Sequence, residues 1–100
     1  MIDIPTRLDE VKRGTSSALA AVTGDAGAST VLVAVVREFD EKATKATAAT
    51  GDAARDAVIE LEQAADSARA AARADTGLTE GTRQVVEDAH LAICILKTEV

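Results

Sequence analysis

Apolar residues recur along most of this chain at spacings of three and four. Leu32, Val36, Phe39, Ala43, Ala46, Ala54, Ala57, Leu61, Ala64, Ala68 and Ala72 form one such stripe, with a skip around Gly51. At about 100° per residue these positions share one sector of a helical wheel. Between Phe39 and Val58 the stripe contains no large apolar side chain. The pattern predicts a long Ala-rich central helix over about 30–75. Ser29 or Thr30 caps its start, and Gly77 lies past its end. Such a helix would span roughly 68 Å at 1.5 Å per residue. The alternative is a break at Gly51, with Asp52 capping a new helix and four shorter helices in all. A mid-helix glycine costs about 1 kcal/mol relative to alanine, which neither forces nor excludes a break. Phase continuity favours the single helix.

Two shorter amphipathic segments flank it. Ile4, Leu8, Val11, Leu19 and Val22 mark a helix over about 6–22, with Thr6 and Asp9 resembling a capping box, Pro5 just outside and Gly24 as the stop. Val85, Val86, Ala89, Ile93 and Leu96 mark another over about 82–98. From Leu91 to Leu96 that helix is apolar all round, so it is buried on every side or meets a second partner. The runs Val31–Val36 and Leu91–Leu96 could also form a pair of buried strands, although capped helical frames surround both. The expected fold is all-α, a single domain over 1–100: a helical hairpin or bundle completed by oligomerisation.

Composition explains the expectation of a partner. Hydrophobic residues make up 47% of the chain, but 22 residues are alanine and only one is aromatic. So few large side chains build a thin core. An alanine stripe has little to bury against except another helix lying very close. Val31, Leu32, Val35, Val36, Phe39, Ala46, Ala57, Leu61, Ala68, Leu91, Ile93 and Ile95 are the candidate interface residues.

Charge narrows the partner class. The net charge is −6, concentrated in the second half. There is no Lys/Arg cluster for a phosphate backbone and no Trp or Tyr for base stacking, which argues against nucleic acid. The longest apolar runs are far short of the ~20 residues of a membrane span. Met1–Leu8 contains Asp3, Pro5 and Arg7, unlike a signal peptide. The expected location is cytoplasmic, with export by a route using no cleaved signal left open.

Candidate chemistry is sparse. Glu87 and His90 have the Glu-x-x-His spacing of di-metal carboxylate bundles, which need two such motifs and two further glutamates. A dimer could supply the pairs, giving a ferritin-like metal-binding reading. On the wheel, however, Glu87 lies far from the apolar face and His90 at its boundary. His90 and Cys94, four residues apart, could bind a metal or form a nucleophile–base pair, but a thiol inside Leu91–Leu96 would be buried and unreactive. No second His exists for a further triad, Thr15-Ser16-Ser17 has no base nearby in sequence, and no phosphate-binding loop appears. The chain reads as a non-enzyme without a cofactor, partnered by itself or by another helical protein. A structural part of a larger assembly is a further reading.

Met1-Ile2-Asp3-Ile4-Pro5-Thr6-Arg7-Leu8-Asp9-Glu10-Val11 resembles the opening of small actinobacterial proteins associated with type VII (ESX-like) secretion, the EspC-like members without a Trp-x-Gly loop being closest. The stretch from Val35 through Phe39 to Asp75 is similar to their long Ala-rich second helix. The resemblance implies a non-enzymatic export substrate or partner that works as a helical pair. Three departures stand out: Ala71 stands where the family's export signature has Tyr before Asp75, no Trp follows Phe39, and Leu78–Val100 adds a helix the family usually lacks.

Overall fold

Asp3, not Thr6, starts the first helix. Its carboxylate accepts from the Thr6 backbone N–H at 3.2 Å and from the Thr6 hydroxyl at 2.8 Å. Pro5 therefore lies inside the first turn, where its missing N–H costs nothing. The computed structural model describes residues 3–100; Met1 and Ile2, which open the type VII resemblance, lie outside the described residues. Four helices follow: α1 (Ile4–Gly24), α2 (Thr30–Thr47), α3 (Asp52–Ala74) and α4 (Glu80–Glu99). No strand occurs among the described residues, and the two β-branched-rich runs are both helical. Ser29 caps α2, accepting from Leu32 N–H at 3.1 Å, and Thr79 caps α4.

The long central helix expected over 30–75 is two helices. The chain leaves α2 at Thr47 and reverses through Ala48–Gly51, where Gly51 takes φ +60° and ψ −136°. That backbone conformation is open to glycine and strained for other residues. Gly51 is itself the N-cap of α3. Asp52 is the first helical residue, where its charge suits the positive end of the helix dipole. A continuous helix would leave its stripe facing solvent. The reversal lays Leu32, Val36, Phe39, Ala43 and Ala46 against Ala54, Val58, Leu61, Ala65 and Ala68 within one chain.

The helices form an antiparallel ring in which α1 packs on α2, α2 on α3, α3 on α4, and α4 closes on α1. The bundle measures 41 × 19 × 18 Å, far shorter than the single-helix alternative. Phe39, Leu8, Leu32, Leu61, Ile93 and Leu96 are its largest fully buried side chains. Between them sit Ala18, Ala43, Ala46, Ala65, Ala68, Ala72 and Ala89, all nearly inaccessible. Small side chains let helix axes approach toward the lower end of the usual ~8–10 Å.

The two hairpins, α1–α2 and α3–α4, correspond at an offset of 50 residues. Burial follows the same sequence of positions over 11–27 and 61–77. Leu8 corresponds to Val58, Val11 to Leu61, Val22 to Ala72 and Val36 to Val86. Phe39 and Ala43 correspond to Ala89 and Ile93, so bulk is exchanged between equivalent sites.

The loops of the two hairpins clasp each other. Each carries Asp-x-Gly-x-Ser/Thr: Asp25 to Ser29, and Asp75 to Thr79. Within its own loop, each Asp accepts from the glycine two residues on: Gly27 N–H at 2.9 Å and Gly77 N–H at 3.1 Å. Across the pair, Asp25 accepts from Thr79 N–H and hydroxyl at 3.1 and 2.8 Å, and Asp75 accepts from Ser29 N–H at 2.8 Å. The loops touch where Gly27 meets Gly77. A Cβ on Gly27 would fall 1.8 Å from the Gly77 carbonyl oxygen. Both glycines are there for close backbone approach, not for positive φ.

Candidate functional site

α3 places Asp66 against two residues of α4, His90 and Cys94, which lie one turn apart. His90 Nε2 is 2.8 Å from Asp66 Oδ1. Cys94 Sγ is 3.5 Å from Nε2 and 3.7 Å from Nδ1 of the same ring. The potential ligand atoms of all three residues lie within 4.8 Å of one another. His90 is buried, Cys94 half-buried and Asp66 exposed, so the cluster opens to solvent on the Asp66 side.

The geometry argues against a nucleophile–base pair. A sulfur nearly equidistant from both ring nitrogens cannot lie along the in-plane lone pair of either, and Nε2 is already engaged by Asp66. Burial pushes the Cys94 thiol pKa up, and the negative charges of Asp66 and Glu62 push it further. Nothing in the cluster activates the thiol as a nucleophile.

Glu87 and His90, whose spacing offered the alternative metal reading, do not converge. Arg69 and Arg73 on α3 donate to Glu87 at 3.2 and 2.9 Å, while His90 turns to Asp66. The Arg73 hydrogen bond, with the charges of both arginines, holds the Glu87 carboxyl below its ordinary range against a smaller effect of burial. Its carboxylate is an ion-pair partner within the fold and not a free ligand.

The first hairpin has its own polar cluster at the equivalent level. Asp40 Oδ1 accepts from Lys12 Nζ at 2.6 Å, Thr15 Oγ1 at 2.8 Å and Ser16 Oγ at 3.1 Å. Burial pushes the Asp40 carboxyl up, but the hydrogen bonds and charge of Lys12, with the two hydroxyls, outweigh it and hold its pKa low. Thr15 has no exposed surface, and its hydroxyl is satisfied by Asp40 and the Lys12 carbonyl.

The candidate interface residues divide. Leu32, Val36, Phe39, Ala46, Leu61, Ala68 and Ile93 are buried in the chain's own core, so the alanine stripe finds its partner inside the molecule. Val35 and Ala57 are half-buried against that core. Val31, Leu91 and Ile95 are exposed, as is Ile59. Leu91–Leu96 is therefore not buried all round: Leu91 and Ile95 face outward while Ile93 and Leu96 face in. No helix among the described residues is long and apolar enough to cross a membrane.

Comparison with protein-family models, curated proteins and solved structures finds no match to this chain.

His90 and Cys94 stand out in the sequence because they are four apart on one helix. Asp66 does not, because nothing local ties it to a residue 24 positions later. The clasp had a legible signal in the two Asp-x-Gly-x-Ser/Thr strings, which repeat at the same offset as the core positions.

Proposed function

We propose that this chain is a non-enzymatic helical interaction protein that self-associates through the outer face of α4. The observation that carries this reading is the pair Leu91 and Ile95, one turn apart and 57% and 44% exposed on a helix whose inner face is already satisfied. Gln84, Asp88 and Thr98 share that outer face. In an isologous antiparallel pairing of two α4 helices, Leu91 meets Ile95 of the second copy and Asp88 falls opposite Thr98. Glu80 and Gln84 then lie beyond the end of the facing helix. Glu87 comes level with Glu99 of the second copy, but Arg69 and Arg73 pair with the first and Arg7 with the second within each chain, which leaves the apolar pair to favour a second copy of this chain as the occupant. The resemblance over about 1–75 supports an export-linked setting for such a pair, although the turn at Ala48–Gly51 divides the stretch that carries it.

Light scattering during size exclusion, across a concentration series, tests the proposal. Detection must use refractive index because the chain has no Trp or Tyr. The expected result is a dimer that tightens with added salt, since two chains of net charge −6 repel and salt screens them. Leu91→Asp is expected to yield a folded monomer. A wild-type chain that stays monomeric throughout, or a dimer that survives Leu91→Asp, would overturn the proposal.

A further inference from the structure

We propose that Asp66, His90 and Cys94 form a Zn²⁺ site between α3 and α4, with a fourth position open to water. The donor set selects the metal. A thiolate, an imidazole and one carboxylate suit a borderline-soft divalent ion, whereas Ca²⁺ and Mg²⁺ require mostly oxygen ligands. The three donor atoms are already gathered within 4.8 Å of one another, so small side-chain turns complete the site. Zn–N of about 2.05 Å and Zn–S of about 2.3 Å at the tetrahedral angle give an N···S edge of about 3.6 Å. The observed Sγ–Nε2 separation is 3.5 Å, but Sγ is also 3.7 Å from Nδ1, so the His90 ring turns on binding to aim Nε2 between the sulfur and the carboxylate. The N···O edge of such a site is about 3.4 Å. The observed Nε2–Oδ1 contact is a 2.8 Å hydrogen bond, so the ion replaces the shared proton and the exposed Asp66 carboxylate draws back.

The two hairpins differ in kind at this level. At the offset of 50, Asp66, His90 and Cys94 correspond to Ser16, Asp40 and Thr44. In the first hairpin the cation is built in, because Lys12 bonds Asp40 at 2.6 Å. The residue equivalent to Lys12 is Glu62. The second hairpin thus exchanges its internal cation for a carboxylate while adding a thiol and an imidazole. The nearby cations do not fill the gap: Arg69 pairs with Glu87 at 3.2 Å, and Lys97 with Glu62 at 3.4 Å. What remains is a cluster rich in metal-binding atoms to which no lysine or arginine is paired.

Cobalt is the direct probe, because a thiolate bound to Co²⁺ gives a sulfur-to-metal charge-transfer absorption that oxygen ligands do not. The full reduced chain should bind one Co²⁺ with that band, and Zn²⁺ should bleach it. Cys94→Ser should abolish the band. Asp66→Asn and His90→Gln should each weaken binding roughly tenfold or more, at least the loss that removing a mere supporting residue causes at metal sites. Glu87→Gln should bind as wild type. Far-ultraviolet circular dichroism confirms folding of each variant, and the exposed Asp66 decides the matter if a His90 variant does not fold. Absence of the band at a large excess of Co²⁺, a complex of two chains per ion, or loss of binding in Glu87→Gln with Asp66→Asn unaffected would each overturn the proposal.

Discussion

Replacing Gly51 with alanine separates two folds by the sign of its effect. In a continuous helix over 30–75, an interior glycine is a defect, and alanine would stabilise by about 1 kcal/mol. In the bundle, Gly51 has φ +60° and ψ −136°, a conformation that strains any residue with a Cβ. A Cβ there meets no atom within 4 Å, so the cost is backbone strain alone, without a steric term. Such strain is worth about 1–3 kcal/mol. Taking about 2 kcal/mol, the midpoint of thermal unfolding of a 100-residue domain should fall by roughly 8–16 °C. Gly24→Ala is the internal control. That residue is helical, has no positive φ, and a Cβ on it meets nothing within 4 Å. Its replacement should be neutral or stabilise by up to about 1 kcal/mol. Thermal and urea unfolding followed by far-ultraviolet circular dichroism measures both. If Gly51→Ala raises the midpoint as Gly24→Ala does, the turn at Ala48–Gly51 is refuted, and with it the packing of α2 on α3.

Other outcomes test the clasp and the core. Gly27→Ala should destabilise by more than about 1 kcal/mol, because its Cβ collides with the Gly77 carbonyl; Gly81→Ala, which meets nothing within 4 Å, should be tolerated. Hydrogen bonds from Gly27 and Thr79 N–H, and from the Thr79 and Thr82 side chains, pull the Asp25 carboxyl from 3.8 down to about 2. A depressed carboxyl pKa stabilises the fold above the unfolded value near 3.8 and loses that contribution as pH falls toward 2. Acid titration of the unfolding midpoint should therefore drop through this window, and Asp25→Asn should flatten the drop; identical profiles would contradict the clasp. Ile93→Asp buries a charge where the side chain has no exposed surface, costing about 4–5 kcal/mol, close to the whole stability of a small domain, and circular dichroism should show loss of helix.

The helical class and most element ends are legible in the sequence, for local reasons. Ser29, a short polar residue before an apolar helix, both announces and makes its cap. The long helix is misread because phase continuity does not distinguish a straight helix from a hairpin. Ala46 and Ala54 face the same core either way, since a reversal that buries both stripes also keeps them in one sector. What decides the matter is length against burial: a straight stripe needs a second chain, and a folded one supplies its own. The same reasoning places Phe39 and Leu61 inside the molecule instead of at an interface. Asp66 stays illegible because its meaning depends on the neighbour that the α3–α4 hairpin brings to it.

The correspondence between hairpins separates residues that hold the frame from residues free to do something else. Positions alike at the offset of 50 are those the bundle cannot spare: the paired aspartates and glycines of the clasp, and the inward positions such as Val36 and Val86. Positions that differ do not follow from the frame. At the level of Asp40 the difference is one of kind. A lysine–aspartate pair with two supporting hydroxyls forms a self-satisfied cluster, in which every charge has its partner within the chain. On the other hairpin, Glu62, Asp66, His90 and Cys94 occupy the corresponding surface, and the nearby Arg69 and Lys97 are paired with Glu87 and Glu62. Asp66 satisfies the buried imidazole of His90, but nothing in the frame requires a thiol beside them. That excess of donor atoms over internal cations locates the chemistry of this chain at the α3–α4 seam, on the same helix whose outer face carries Leu91 and Ile95.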